Sequence, residues 1–155
     1  MKTPNPDYIE ALKQIINHSP YFSHLSMRMQ AIDTGTCEFE IDIDRKHLQP
    51  FGFVHGGVFA SILDSAAFWS MHFDQTDPDV SLTSVDLKLN YLAPIATGKL
   101  IARGRRIKLG KTLGYAEAAV SDGNGKLLCH GTSTLMVLRE RGLSGDPSLP
   151  PKYLG

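Results

Sequence analysis

The chain has 155 residues, 42% of them hydrophobic and 21% charged, which is the composition of one globular domain able to bury its own core. Lysine plus arginine (16) balances aspartate plus glutamate (16), and a net charge of zero excludes a general nucleic-acid binder, which needs surplus cations to displace counterions. The longest apolar run, residues 56–73, is interrupted by Asp64, serines and His72 and falls short of the ~20 residues of a membrane span.

The opening Met-Lys-Thr-Pro-Asn-Pro-Asp holds no apolar stretch of the secretory kind, so a soluble, cytoplasmic, single domain over 1–155 is expected. Pro6–Asn17 sets Tyr8, Ile9, Leu12, Ile15 and Ile16 at helical spacing, with Asp7 where a negative charge suits the helix dipole. Pro20 should stop this N-terminal helix. Residues 27–32 and 36–43 read as a hairpin around Asp33-Thr34-Gly35. In its second strand Cys37, Phe39, Ile41 and Ile43 alternate with Glu38, Glu40 and Asp42, which predicts one dry face and one wet face.

Residues 44–54, with Pro50 and Gly52, read as a loop. A helix follows from Gly56 to about Asp74, apolar on nearly every side except for Asp64 at its centre. Beyond it the pattern is strand: 80–92, 100–108, Leu113–Ser121 and Leu127–Leu138, the last two joined by Asp122-Gly123-Asn124-Gly125, whose glycines tolerate positive φ. In the first of these strands Val80 and Leu82 have the opposite parity to Val85, Leu87, Leu89 and Tyr91, so a bulge is expected near Thr83-Ser84. Residues 139–155, rich in glycine and proline, read as an irregular tail. Cys37 and Cys129 are expected to sit in strands as small apolar residues. His18, His24, His47, His72 and His130 show no metal-ligand spacing, so no metal site is expected.

A helix apolar all round must be surrounded, and a curved antiparallel sheet wrapped around one central helix does that, giving an α+β fold. The open sheet edges of such a fold, and a helix it covers incompletely, invite a symmetric partner.

His55-Gly56-Gly57 stands at the head of this helix, where free backbone N–H groups and a partial positive charge can clamp an oxygen, although a glycine pair there is also an ordinary turn. Asp64 lies seven residues beyond Gly57 on the same face, ~10 Å along the axis, too far for one carbonyl to meet both within a chain. Two such helices antiparallel across a dimer axis would set the Asp64 of one against the Gly57 of the other. The alternative is that Asp64 pairs with a neighbouring Arg or Lys. Arg103, Arg105, Arg106, Lys108 and Lys111 form a local basic cluster that suits a ligand with several phosphates; Arg103 and Arg105 equally suit a solvated strand face.

Taken in order, Gln49-Pro-Phe-Gly52-Phe-Val-His55-Gly56-Gly57, Leu63-Asp64-Ser65-Ala66, the stretch from Ser84 through Asp86 and Tyr91 to Pro94, Lys108-Leu-Gly110-Lys111-Thr112-Leu113 and Gly125-Lys126-Leu127 resemble hotdog-fold acyl-CoA thioesterases of the phenylacetate-degradation (PaaI-like) type. The resemblance runs over roughly residues 27–138. It implies a hotdog fold and hydrolysis of an acyl-CoA thioester to a carboxylic acid and CoA, with coenzyme A entering as part of the substrate and no other cofactor.

It further implies Gly57, with Gly56, as N–H donors to the thioester oxygen, and Asp64 as general base on a water or as a nucleophile forming a mixed anhydride. His55 would position the carbonyl or the helix entrance, and Ser84 the attacking water. Gln49 stands where the family often has asparagine. Tyr91, Lys108, Leu109, Gly110, Lys111, Thr112 and Leu113 would contact the substrate and its CoA. The implied assembly is a homodimer as minimal active unit, built into a homotetramer. A non-catalytic acyl-CoA sensor or carrier on the same fold is the alternative. An enoyl hydratase or dehydratase ranks below it, because the extended histidine-plus-carboxylate motif is missing. No G-x-S-x-G elbow supports a serine-hydrolase triad.

Overall fold

The computed structural model describes residues 2–140, 142 and 146–155. After a two-residue strand β1 (Thr3–Pro4), helix α1 covers Pro6–Asn17. The Asn5 side chain caps it by accepting from Asp7 N–H, and Tyr8, Leu12 and Ile16 are its buried stripe. Pro20 does not merely follow the end of α1. It opens a second short helix, α2 (Pro20–Leu25), which the sequence pattern did not announce. The reason is local: proline at the first helical position gives up an N–H that has no intrahelical acceptor anyway.

Six strands make one antiparallel sheet: β2 (Met27–Asp33), β3 (Thr36–Asp42), β4 (Ser81–Tyr91), β5 (Lys99–Leu109), β6 (Leu113–Ser121) and β7 (Leu127–Leu138), in the order β2-β3-β5-β6-β7-β4. Their bounds agree with the sequence pattern to within a residue. The alternation in β3 is as expected, with Cys37, Phe39 and Ile41 buried. Both cysteines are free and buried, each in a strand. The β4–β7 register shifts between Ser84 and Asp86, leaving Val85 as the bulge that the change of parity required.

Across the concave side lies α3 (Gly56–Trp69), with Ile62, Leu63, Ala66 and Ala67 wholly buried against the sheet. The contact with β5 is close because Gly104 has no side chain: a Cβ there would stand 1.9 Å from Ala66 O. This helix is shorter than the run to Asp74 that the apolar pattern suggests. Buried Ser70 ends it, its hydroxyl donating to Ala67 O at 2.7 Å, and His72–Asp74 is a separate 3₁₀ turn. This is an α+β hotdog arrangement, a curved sheet holding one central helix.

The helix is nevertheless not enclosed. Gly57, Ala60, Ser61, Asp64 and Phe68, at spacings of three and four, keep solvent access. Beside that open stripe runs β4, which has a strand partner on one side only among the described residues. The convex face of the sheet carries cross-strand ion pairs instead, Arg103 with Glu38 and Arg105 with Glu117.

The tail is less irregular than its composition suggests. Tyr153–Leu154 forms β8 and pairs with β1, Asn5 N–H donates to Lys152 O at 3.0 Å, and the Lys152 ammonium donates to His72 O and Gln75 O at 2.5 Å each. The part of the expected irregular tail at 141 and 143–145 lies outside the described residues.

Candidate active site

The head of α3 is built by its cap. His55 is in an extended conformation and its Nδ1 accepts the Gly57 N–H at 2.7 Å. A Cβ at Gly57 would stand 3.0 Å from that nitrogen, a tight contact to which the ring would have to give way. The N–H at Gly57 is therefore already engaged, whereas that of Gly56 has no protein acceptor among the described residues. Gly56 is held from the other side: the Tyr91 hydroxyl, at the end of β4, donates to Gly56 O at 3.1 Å. Gln49 and His55 line the same cleft as Gly56, Gly57 and Tyr91, with Phe59 as its apolar floor, in a space of about 560 Å³. The Gln49 side-chain oxygen accepts from Phe51 N–H, which leaves its NH₂ group as the available donor.

Asp64 and Ser84 are together but elsewhere. Ser84 Oγ donates to Asp64 Oδ1 at 2.9 Å, across from the start of β4 to the middle of α3. The bulge at Val85 sits next to this contact, and Ser84 pairs with buried Leu135, which places it on the helix side of the sheet. Asp64 lines a second cleft of about 500 Å³ whose other walls include Tyr21, Phe22, Ser61, Phe68 and Trp69. Eight residues of helix, about 12 Å, separate Gly56 from Asp64. The two halves of the predicted site therefore do not meet within one chain.

Residues 108–113 turn between β5 and β6 and line neither cleft. The turn is closed by Gly110 N–H donating to Leu113 O at 2.8 Å, and Val137 N–H donates to Thr112 O at 2.9 Å. Leu113 and Thr83 both pair with Met136, so the turn is at the Ser84 end of the sheet. Within the basic cluster Arg103, Arg105 and Arg106 are committed to Glu38, Glu117 and Asp74, while Lys108 and Lys111 make no ion pair among the described residues.

Two features escaped the sequence, one residue and one hydrogen bond. Tyr21, on the unannounced α2, overhangs the Asp64 cleft with its hydroxyl 2.5 Å from Ser61 Oγ, and Ser61 in turn donates to Gly57 O. A proline in the helix-opening position was the one signal that could have found it. The engagement of Gly57 by His55 depends on a ring rotamer that no residue spacing encodes. Among the described residues no group of three or more His, Cys, Asp or Glu gathers as a metal site would require, and no helix is long and apolar enough to cross a membrane.

The thioesterase superfamily matches residues 51–129, a span that includes both glycines, Asp64, Ser84 and Tyr91. The proofreading thioesterase EntH of Klebsiella pneumoniae is 29% identical over 110 residues, covering 69% of this chain and 77% of that protein. The 1,4-dihydroxy-2-naphthoyl-CoA hydrolase of Listeria monocytogenes is 26% identical over 117 residues, covering 76% and 94%. Among solved structures, thioesterase HI1161 of Haemophilus influenzae superposes with a TM-score of 0.80 at 25% identity over 90% of this chain and 96% of its own. A curved six-stranded sheet cradling one helix, together with the superfamily match over residues 51–129, settles the family: the chain is a thioester hydrolase of the hotdog-fold thioesterase superfamily, of the PaaI-like kind.

Proposed function

We propose that the protein hydrolyses acyl-CoA thioesters in a site completed by two copies of the chain. Water adds to the thioester carbonyl, the C–S bond breaks, and the products are a carboxylic acid and the free thiol of CoA. Asp64 takes the proton from that water, or attacks the carbonyl itself to form an anhydride that water then opens. Ser84 orients the carboxylate through its hydrogen bond. The donor to the carbonyl oxygen is assigned to Gly56, because Gly57 N–H is spent on His55. One such donor contributes about 2.7–4 kcal/mol to the transition state. Gln49 and Tyr91 flank the same oxygen site, and Lys108 and Lys111, free of ion pairs among the described residues, are the cations offered to CoA phosphates.

The observation that carries the two-chain reading is the pairing of separations. The exposed edge of β4 has Ser84 and Asp64 near its start, and Tyr91 and Gly56 at its end. Antiparallel pairing of that edge with a second copy, about an axis near Leu87 and Lys88, would bring Ser84 of one chain opposite Tyr91 of the other. Each Asp64 would then face the Gly56 of its partner. A homodimer is the minimal unit in this reading, with a homotetramer as the larger assembly. The reading needs no metal or redox cofactor, and the buried free thiols fit a reducing cytoplasm. Kinship with named hydrolases favours turnover over a purely binding role.

Asp64→Asn is expected to keep the fold and lower kcat/KM by about 10²–10⁴-fold, the span of lost acid–base catalysis. Gly56→Pro removes the N–H at a helix position that tolerates proline. Each variant alone should be inactive. Heterodimers of the two contain one intact site, so a random mixture should recover about a quarter of wild-type activity. Isolated heterodimers with no recovered activity would refute the shared site.

A further inference from the structure

Two cavities meet at the last turn of α3. The Asp64 cleft, about 500 Å³, and a second space of about 250 Å³ have Phe68 and Trp69 in both of their walls. The indole is held there by rings on either hand: its centroid is 5.2 Å from Phe68, edge to face, and 5.2 Å from His72, tilted. Val80 and Leu82 line the far space with the polar groups of His72, Gln75 and Ser81. His72 is itself buried and bonded, its Nε2 lying 2.8 Å from the Tyr8 hydroxyl. Burial pushes the imidazole well below its usual range, so it is neutral, and no Asp, Glu, Lys or Arg lines the space among the described residues. The space therefore suits an uncharged group. It exceeds the roughly 150 Å³ of an apolar cavity that takes up benzene.

Trp69 follows Asp64 by five residues, about 7.5 Å along the axis. An acyl group whose carbonyl sits at Asp64 and whose chain follows the helix towards its C-terminus reaches the indole next. We propose that Trp69, backed by Phe68, is the partition that limits the length of the acyl group, and that the space behind it would accept the distal carbons of a longer chain if the indole were removed. This rests on the acyl-CoA reading of the site. Nothing in the chemistry of Asp64 or Gly56 requires Trp69, so length selection and catalysis are separable.

The test is a ladder of straight-chain acyl-CoAs from acetyl to hexadecanoyl, read as kcat/KM from released thiol. Wild type should fall off beyond a defined length. Trp69→Leu should raise kcat/KM for the next longer chains by about 10-fold or more relative to acetyl-CoA, the effect of a methylene gained in an apolar pocket. Adding Leu82→Phe, which refills the far space, should restore the wild-type cut-off. An unchanged ladder in Trp69→Leu protein that melts cooperatively would overturn the proposal.

Trp69 is the sole tryptophan of the chain, so its emission gives a second readout that needs no change at the partition. In Asp64→Asn protein, saturation with octanoyl-CoA should alter the emission and saturation with acetyl-CoA should not. An emission equally indifferent to both, with binding verified by calorimetry, would also overturn it. Wild type inactive on every rung is a different result: it removes the acyl-CoA reading itself.

Discussion

Placing a methyl group at Gly104 tests the contact that positions the whole site. The added Cβ of Gly104→Ala would lie 1.9 Å from Ala66 O, 2.3 Å from Ala66 C and 2.9 Å from Ala67 N, where ordinary contact begins at 3.4 Å. These are helix backbone atoms, so no side-chain rotation relieves the overlap, and α3 must withdraw from β5 by roughly 1.5 Å, a shift no small repacking absorbs. Withdrawal opens a gap beneath Ile62, Leu63, Ala66 and Ala67, all 0% exposed, and a gap of even 0.5–1 Å forfeits about a quarter to a half of each dispersion contact. Overpacking alone costs about 1–3 kcal/mol, so the expected loss is at or above about 3 kcal/mol. For a chain of this length that corresponds to a melting temperature lower by about 6–12 °C. Asp64, two residues before Ala66, moves with the helix, and a misplacement of about 1 Å is enough for a 10²-fold loss of turnover. The assays are urea and thermal unfolding followed by circular dichroism, with thioester hydrolysis measured on the same samples. Gly123→Ala, with nothing within 4 Å, is the control and should stay within about 0.5 kcal/mol of wild type. A Gly104→Ala protein that melts within 2 °C of wild type, as a rough bound, and keeps its activity would refute the helix-on-glycine contact.

Two further expectations follow from hydrogen bonds seen in the structure. Ser84→Ala removes the hydroxyl that donates to Asp64 Oδ1, so kcat should drop about 10-fold or more while KM stays near wild type, because the group acts on the carboxylate and not on the bound CoA. An unaltered kcat in steady-state assays would remove Ser84 from the site. Lys152, in the tail, has its ammonium pushed down from 10.5 to about 8 by burial. Its folded form sheds the proton first, so between pH 8 and 10.5 the unfolded chain binds more protons and this residue's contribution to stability rises with pH. The full drop corresponds to roughly 3 kcal/mol at most. Urea midpoints from pH 7.5 to 9.5 should therefore climb in wild type relative to Lys152→Met, and a difference that stays flat or falls would contradict the burial of the ammonium.

The sheet was legible because strands have a period of two and its interruptions are informative. Alternation placed β3 and its buried face, and the change of parity between Leu82 and Val85 located the bulge beside Ser84. What escaped depends on contacts distant in sequence. Arg103 and Arg105 suit a phosphate site and a solvated strand face equally until the register sets them against Glu38 and Glu117. The ribbon of β1 and β8 is two residues long, too short for any periodicity to show. The end of α3 at Ser70 is set by a hydroxyl turning back to Ala67 O, in a stretch that resumes its apolar character at Met71. His55-Gly56-Gly57 marks the helix terminus, but that the Gly57 N–H is taken up by the His55 ring is set by a rotamer and no spacing shows it.

Asp64 looked anomalous because the helix around it is so apolar that it ought to be enclosed. The structure divides that problem in two. Within one chain the carboxylate is on the uncovered stripe of α3, where water can reach it and its charge carries no severe desolvation cost. Covering the stripe with a second copy would change that, because an isolated ionised carboxylate in a dry interface is costly unless its acceptor sites are used. Ser84 already uses one of them, from a strand whose bulge aims the hydroxyl inward. A facing helix terminus would add a partial positive charge and an open N–H at Gly56 to the same space. Association of two chains would thus enclose the charge and assemble the carbonyl clamp in one step, and a monomer would hold each half of the site about 12 Å from the other. An obligate link between dimerisation and turnover follows. Specific activity should fall on dilution in step with the loss of dimer seen by analytical ultracentrifugation, and full activity in a demonstrably monomeric sample would contradict the two-chain arrangement.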